Sequence, residues 1–502
     1  MRPFSPELAS LRRCNDMSVT STRLGKVRGR EDAYGHAFLG LRYGDSPAGA
    51  RRFLPPIAAP AWNGVHDATR YPNRAMQTDS PGIFKRDVPG ECSEDCLFLN
   101  IYTPAPDNKA RPVMVWIHGG AFVRGSANEY DGSVLAMQGD IVVVTVNFRL
   151  GVFGFFGLSD FGSEYAGSES NGVRDVLLAL EWVRDNIADY GGDPGNVTIS
   201  GESSGATMVM SLLAVPAADS LYHKAIGHSA TCVFREKTDR TEQLSDCIGV
   251  EPNQLLDRLK TMPANEIANI NFPIGVYVDG DVITRSTMEA IRERGASGVP
   301  LLIGSNLREG TLYTLGQHTD KEHYSGLNQA LAKETLLGAD PSTFLAALRS
   351  EFPTASPGTF HEMIWNNMFR RICLIAAETT SGAGCGTWFY RFDMPADLPG
   401  MEDLGPAHAS ELAFTFNIFE KSETHCLIFH DRDNLEVQRV ASVWSDAIAR
   451  FVASGDPNGG DLPYWPAYDN KDRSCLIIDK ALRTESDPDA QMRALWNSEA
   501  VT

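Results

Sequence analysis

The most informative segment of the chain is Ser200-Gly201-Glu202-Ser203-Ser204-Gly205-Ala206. It contains the pattern G-x-S-x-G, follows a strand-like run at 196–199 and precedes an apolar stretch at 208–215. A strand, a sharp turn and a helix form the context that exposes such a serine above a sheet. The two glycines permit the tight turn and the close approach of helix to strand. A plain Gly/Ser turn at a strand end shows the same pattern. Whether Ser203 is a nucleophile therefore depends on what the rest of the chain contains.

Strand-like and helix-like segments alternate along the chain. The strand-like runs are 112–117, 141–146, 196–199 and 301–304; the helix-like segments are 172–187, behind the candidate N-cap Asn171, and 434–454, ended by Gly455. Such alternation predicts an α/β fold with a mostly parallel central sheet and helices on both faces.

Composition and charge narrow the classes of function. The 502 residues are 43% hydrophobic and 22% charged, an ordinary globular balance, and the formal net charge is −19. The negative charge argues against nucleic acid or an anionic membrane as a partner. No apolar run approaches the roughly 20 residues of a membrane span. We expect a single domain over 1–502, with 1–20 as a disordered extension that lacks the apolar core of a secretory signal.

A serine nucleophile needs donors that stabilise the oxyanion. The loop at 118–122, His-Gly-Gly-Ala-Phe, follows the strand-like run that ends at Ile117. Its small residues allow the N–H groups of Gly120 and Ala121 to approach a substrate carbonyl, and the N–H of Ser204 would be a third donor. The alternative is a plain glycine-rich turn.

The serine also needs a base and a group that orients the base. Glu309 lies in a loop after the strand-like run 301–304. Binding and catalytic residues of open α/β sheets lie in loops at this end of the strands. The histidines that follow are His318, His323, His361, His408, His425 and His430. His408 lies in a loop, 405–412, that leads into a helix-like segment. From spacing alone, Glu309 also fits a solvated surface carboxylate, and chain order leaves the choice of histidine open.

The chain resembles the type-B carboxylesterase and lipase family, which includes the cholinesterases. The resemblance covers about residues 24–469. Its landmarks are 38–43, 94–104, 147–151, 190–205 (with Tyr190 where Phe is usual), 455–458 and 465–468. The resemblance implies an α/β-hydrolase fold.

Residue by residue, the resemblance implies roles for the site. It implies Ser203 as nucleophile, Glu309 as acid and His408 as base, with Gly120, Ala121 and Ser204 as oxyanion donors. Glu202 resembles the family's second carboxylate near the site, and Ser229 resembles a family serine that supports it. For these last two, simple packing is an equal alternative. The mechanism requires no metal or organic cofactor.

The resemblance implies two disulfides, and for each of them this chain has only one of the two cysteines. Ala75 stands where the partner of Cys96 is expected, and no cysteine lies near Arg258 to pair with Cys247. With nine cysteines in all, this pattern predicts a reducing, intracellular location. Whether Cys92 pairs with Cys96 is left open.

The segment 75–96 limits the substrates. It contains no tryptophan, so the aromatic that binds quaternary ammonium in cholinesterases has no counterpart there. Its apolar pair, Ile83 and Phe84, is too small for a lipase lid. We therefore expect soluble or modestly hydrophobic esters. Arg308, beside Glu309, would favour the ionised acid or else point into solvent.

These features predict a serine carboxylesterase that hydrolyses small-molecule carboxylic esters through an acyl-enzyme. One alternative is an acyltransferase or lactonase acting on a specialised metabolite. A minor alternative is a non-catalytic scaffold or adhesion relative, which the filled triad disfavours. The acyl and alcohol preferences and the oligomeric state are left open.

Overall fold

The computed structural model describes residues 16–78, 86–231, 236–314, 341–421 and 424–496. The strands in these residues are β1 Asp16–Thr22, β2 Gly25–Asp32, β3 Gly35–Arg42, β4 Val65–Asp67, β5 Arg74–Ala75, β6 Cys92–Ser93, β7 Phe98–Thr103, β8 Arg111–Ile117, β9 Val142–Val146, β10 Gly192–Glu202, β11 Lys224–His228, β12 Leu301–Asn306, β13 Thr387–Phe392, β14 Ser474–Ile478 and β15 Arg483–Ser486. The helices are α1 Ser133–Gly139, α2 Gly151–Phe155, α3 Asn171–Asn186, α4 Ser204–Leu212, α5 Thr241–Ile248, α6 Leu255–Thr261, α7 Ala264–Ala268, α8 Thr287–Arg294, α9 Thr311–Thr314, α10 Pro341–Glu351, α11 Pro357–Gly382, α12 Leu412–Thr415, α13 Leu435–Ser454 and α14 Ala490–Trp496.

One large twisted sheet organises the molecule and confirms the predicted fold class. Its strand order is β1-β2-β3-β7-β9-β8-β10-β11-β12-β13-β14-β15, with β4 beside β2. The central strands from β9 to β14 are parallel neighbours, whereas the edges are antiparallel. Because parallel strands end at one edge of the sheet, the loops that follow β8, β10 and β12 meet there.

Both faces of the sheet are buried. Along β8, Val113, Val115 and Ile117 pack into one core, while Met114 and Trp116 pack into the other. Helices α3, α4 and α11 contribute to the first core, and α1 and α13 contribute to the second. Burial on both faces explains why these strands are continuous apolar runs in the sequence.

The segment boundaries differ from the predicted ones by a few residues. Helix α3 begins at Asn171, which is its first residue and not its N-cap; the N-cap position is Ser170. The Asn171 side chain instead donates a hydrogen bond of 2.7 Å to the carbonyl of Phe53. Strand β10 begins at Gly192, earlier than the predicted run, because its first residue pairs with Arg111 of β8.

The predicted N-terminal extension divides in two. Residues 16–20 belong to β1, which pairs antiparallel with β2, whereas 1–15 lie outside the described residues. The single-domain organisation stays a prediction. Among the helices that the structure describes, none combines the length and the apolar composition needed to cross a membrane.

The cysteines that the structure describes are free thiols: Cys92, Cys96, Cys247, Cys373, Cys385, Cys426 and Cys475. Cys92 and Cys96 are therefore unpaired. Cys96 is buried in a small cavity that Ala75 also lines, so the residue in the place of the expected partner does lie near this thiol. The intracellular location stays a prediction.

Candidate active site

Ser203 occupies a strained turn between β10 and α4. Its backbone has φ 56° and ψ −124°, a conformation that costs a non-glycine residue about 1–3 kcal/mol. The glycines on either side are required by close packing. A Cβ on Gly205 would lie 2.0 Å from the carbonyl oxygen of Ile117, and one on Gly201 would lie 2.6 Å from the backbone of Gly205. The motif is thus a strand–turn–helix element and not a plain Gly/Ser turn.

The structure brings Ser203, His408 and Glu309 together although they are far apart in the chain. His408 Nε2 lies 2.9 Å from Ser203 Oγ, and His408 Nδ1 lies 2.5 Å from Glu309 Oε2. Both His408 and Glu309 are buried. A hydroxyl, an imidazole and a carboxylate in this order form a nucleophile, a base and a group that orients the base.

Glu309 is held by two further hydrogen bonds. Its Oε1 accepts one of 2.7 Å from the N–H of Asn306, at the end of β12, and one of 2.5 Å from Ser229 Oγ. Ser229 therefore supports the acid, not Glu202 as the resemblance suggested. Hydrogen bonds to an ionised carboxylate stabilise the charge that faces His408.

A second carboxylate also faces the base. Glu202 Oε1 lies 3.1 Å from His408 Nε2 as a charge contact. Burial disfavours the charged imidazolium, but the carboxylates of Glu202 and Glu309 outweigh this effect and raise the pKa of His408 to about 9. Burial in turn raises the pKa of Glu202 to about 7.

A third carboxylate at the site, Glu411, was not predicted from the sequence. It is fully buried, and its Oε2 accepts a hydrogen bond of 2.6 Å from Asn306 Nδ2. Burial, with the neighbouring charges of Glu202 and Glu309, raises its pKa to about 8. Its position three residues after His408 was the only feature of the sequence that could have indicated it.

Arg370, on α11, was also not predicted. Its Nη2 donates a hydrogen bond of 2.5 Å to the carbonyl of Asn306 and so fixes the end of β12.

The predicted oxyanion donors lie in a tight loop beside the elbow. Gly120 and Ala121 both have positive φ, 113° and 57°. In the described part of the chain, neither of their N–H groups is used in a hydrogen bond. Ser204 is the first residue of α4, so its N–H has no partner within the helix. Its Oγ accepts a hydrogen bond of 3.2 Å from the N–H of Phe122, which ties the loop to the elbow.

Aromatic rings enclose the base. Phe369 stacks on the His408 ring with centroids 4.5 Å apart, and Tyr313 lies against it at 5.7 Å. Trp365 stacks on Tyr313 at 4.1 Å. These residues, on α9 and α11, were not predicted, because no local pattern shows which rings of a helix will meet one histidine.

The other candidate histidines lie elsewhere. His361 accepts a hydrogen bond from Trp365, His425 packs edge-on against Tyr71, and His430 packs against Phe414. His318 and His323 lie outside the described residues.

Arg308 and Arg86 are each paired with a buried carboxylate. Arg308 makes two hydrogen bonds, of 2.9 and 3.0 Å, to Glu362. Arg308 therefore pairs with Glu362 and not with Glu309, and its side chain stays partly exposed to solvent. Arg86 lies 2.6 Å from Glu129. It belongs to the tryptophan-free segment, whose apolar pair Ile83 and Phe84 lies outside the described residues.

This arrangement is suited to acyl transfer from an ester to a serine hydroxyl. It has a hydroxyl within hydrogen-bonding distance of a base, a buried acid behind the base, and free N–H groups beside the hydroxyl. In the residues that the structure describes, no three His, Cys, Asp or Glu side chains are grouped as metal ligands would be.

The chain is similar to known esterases in both sequence and structure. The model of the "Carboxylesterase family" matches residues 16–496. The chain is 34% identical over 494 residues to the para-nitrobenzyl esterase of Bacillus subtilis (strain 168), covering 95% of this chain and 97% of that protein. It is 32% identical over 501 residues to the human cocaine esterase, covering 91% and 87%. The crystal structure of carboxylesterase EST55 from Geobacillus stearothermophilus superimposes with a TM-score of 0.82 at 35% identity, covering 95% of this chain and 100% of that one.

Proposed function

The chain belongs to the carboxylesterase family, and from this premise we propose that it hydrolyses carboxylic esters with Ser203 as nucleophile, His408 as base and Glu309 as acid. Ester hydrolysis by a serine mechanism is the activity of the family and confirms the prediction from sequence. The assignment of each step to a residue of this chain is the proposal.

Acylation begins when Ser203 Oγ attacks the ester carbonyl. His408 Nε2 takes the hydroxyl proton, and Glu309 stabilises the imidazolium that forms. The N–H groups of Gly120, Ala121 and Ser204 stabilise the negative charge on the carbonyl oxygen. The tetrahedral intermediate then collapses: the bond to the alcohol oxygen breaks, and His408 protonates the leaving alcohol.

Deacylation repeats these steps with water. His408 takes a proton from water, which attacks the acyl carbon, and the same N–H groups stabilise the second intermediate. Collapse breaks the bond to Ser203 Oγ, which regains its proton from His408. The carboxylic acid then leaves, and the enzyme returns to its starting state.

The continuous series of hydrogen bonds from Ser203 through His408 to Glu309 carries the proposal. We expect the Ser203→Ala variant to lose at least a thousandfold of kcat on 4-nitrophenyl acetate, because no nucleophile remains. Thermal unfolding should show an intact fold. Ser454→Ala, at the exposed end of α13, is the matched control and should keep full activity. Turnover by a folded Ser203→Ala variant near the parent level would refute the proposal.

A further inference from the structure

The buried guanidinium of Arg370 holds the strand end that carries the catalytic acid. Its Nε donates a hydrogen bond of 2.5 Å to Ser305 Oγ, and its Nη2 donates one of 2.5 Å to the carbonyl oxygen of Asn306. Between these two contacts along the chain lies the N–H of Asn306, which donates to Glu309 Oε1 at 2.7 Å. Arg370 therefore fixes the backbone on both sides of the N–H group that binds Glu309.

The third arm of this guanidinium binds Asp489, in the segment just before α14. Arg370 Nη1 lies 2.8 Å from Asp489 Oδ1, and the two side chains are only 6% and 11% exposed. Among the residues that the structure describes, Asp489 is the only carboxylate that forms an ion pair with Arg370. A guanidinium is planar and rigid, so contacts on three of its nitrogens define a single orientation for it. Asp489 supplies the contact farthest from the triad.

Asp489 also attracts a second guanidinium. Its Oδ1 lies 3.4 Å from Nη1 of Arg391, a β13 residue that is the sheet neighbour of Ser305. Two positive groups therefore meet at one carboxylate beside the end of β12, and they would repel each other without it. Arg391 would still have Asp393, 2.7 Å away, whereas Arg370 would be a buried cation without a carboxylate. Loss of Asp489 would thus act chiefly on Arg370.

The segment 487–496 is docked on the helix that carries Arg370. The carbonyl oxygen of Asp489 accepts a hydrogen bond of 2.9 Å from the N–H of Arg493, within α14. At the end of that helix, the buried Trp496 donates a hydrogen bond of 2.9 Å from Nε1 to Asn367 Oδ1. Asn367 and Arg370 are three residues apart on α11 and so share one of its faces. Two separate contacts therefore hold the segment against that face.

We propose that Asp489 is a positioning residue for the catalytic acid and acts through Arg370. The inference rests on the proposed ester hydrolysis, in which Glu309 orients His408 in both acylation and deacylation. The contacts in the series measure 2.5–2.8 Å and join Asp489 to Arg370, Arg370 to Asn306, Asn306 to Glu309, and Glu309 to His408. Coupling between distant positions is carried by such contiguous hydrogen-bond networks. Loss of Asp489 should therefore lower turnover without weakening the binding of substrate.

Steady-state kinetics of Asp489→Ala on 4-nitrophenyl acetate, well below the melting temperature, test this role. We expect kcat to fall roughly tenfold with KM within about twofold of the parent, because a displaced acid slows both chemical steps alike. Asp489→Asn keeps an acceptor oxygen and should lie between Asp489→Ala and the parent. It also serves as the test variant if Asp489→Ala does not fold.

The matched control is Arg493→Met. It breaks the ion pair of Arg493 with Asp487 in the same segment, and that pair does not include Arg370. A lower melting temperature with the kcat of the parent is expected for this control. The comparison separates loosening of the segment as a whole from loss of the contact with Arg370.

A double-mutant cycle with Glu309→Gln, measured at higher enzyme concentration, tests whether the effect passes through the acid. If it does, adding Asp489→Ala to Glu309→Gln should change kcat by less than about twofold, although the same substitution costs roughly tenfold in the parent.

Two results would overturn the proposal. One is a folded Asp489→Ala variant whose kcat stays within about twofold of the parent, which would leave Asp489 with a role in stability alone. The other is an equal loss of kcat in the parent and in Glu309→Gln, which would show that the effect does not pass through Glu309. Failure of the proposed function is distinguishable, because the parent enzyme would then hydrolyse no simple ester, or would do so equally well without Ser203.

Discussion

Replacing Glu202 with glutamine tests the electrostatic account of the base. The substitution removes the charge 3.1 Å from His408 Nε2 and preserves the size of the side chain. Size matters, because Glu202 Oε2 lies 2.5 Å from the point where a Cβ of Gly119 would be, which leaves no room for a larger group.

The expected shift follows from the distance. Two unit charges 3.1 Å apart interact with about 5 kcal/mol at an effective dielectric constant of about 20. Burial raises the pKa of Glu202 to about 7, so this carboxylate is ionised only about half of the time near neutral pH. Half of this interaction is about 2.5 kcal/mol, which sets an upper limit of roughly two pKa units on the shift of His408. The carboxylate favours the imidazolium, so its removal lowers the pKa of His408.

The assay is the pH dependence of kcat/KM on a neutral ester. His408 acts as a base only when it is neutral, so activity rises with pH through its pKa. In Glu202→Gln this rise should move to lower pH by about one to two units. Glu202→Asp, which keeps the charge, should shift it much less. A rise that stays within about 0.3 units of the parent in Glu202→Gln would refute the reasoning, because the charge of Glu202 would then not affect the pKa of the base.

Three further changes test the supports of the site and of the fold. Ser229→Ala removes the 2.5 Å hydrogen bond to Glu309, and we expect kcat/KM to fall by about ten- to a hundredfold with little change in KM; an unaltered kcat would contradict this role. Gly205→Ala places a Cβ 2.0 Å from the carbonyl of Ile117, and we expect thermal unfolding to show destabilisation of at least about 3 kcal/mol or no folded protein; a parent-like melting temperature would show that the elbow is looser than described. Asp175→Asn leaves the buried Arg149 without its 2.7 Å ion pair and should cost about 3–5 kcal/mol in denaturant unfolding, whereas a loss below about 1 kcal/mol would mean that water reaches Arg149.

The sequence predicted the parts of the molecule that local patterns encode. The runs at 112–117 and 301–304 are buried strands because both faces of the sheet are covered, and this makes them apolar throughout. The pattern around Ser203 predicted the turn. Gly201 and Gly205 pack so closely against backbone atoms that neither position has room for a Cβ. Gly455 ended a helix as expected, with positive φ at the C-cap of α13.

Residues that act only through tertiary contacts were not predictable in this way. Ser229 was expected to support Glu202, but its hydroxyl donates a hydrogen bond to Glu309. The register of β11 and β12 brings these two residues together, and that register cannot be read from the sequence. Glu411 and Arg370 surround Asn306 from two different helical regions. Chain order alone left several histidines open, and the choice of His408 depended on the family resemblance.

The ion-pair partner of Arg308 was also not predictable from the sequence. Its place next to Glu309 in the sequence predicted an interaction with that acid or exposure to solvent. The backbone turn after β12 sends the two side chains apart, and Glu362 of α11 binds the guanidinium instead. Adjacency along the chain therefore gave the wrong partner, and only the packing of α11 supplies the right one.

The proposed hydrolysis depends on one serine, Ser203, as the residue that forms the covalent intermediate. The most direct measurement is labelling of the parent protein with a fluorophosphonate, followed by intact-mass and peptide mass spectrometry. We predict one adduct per chain, on the peptide that contains Ser203, with loss of esterase activity in proportion to labelling and no adduct in Ser203→Ala. An adduct on a different residue that accounts for the loss of activity, or full esterase activity in a completely labelled protein, would show that Ser203 is not the nucleophile.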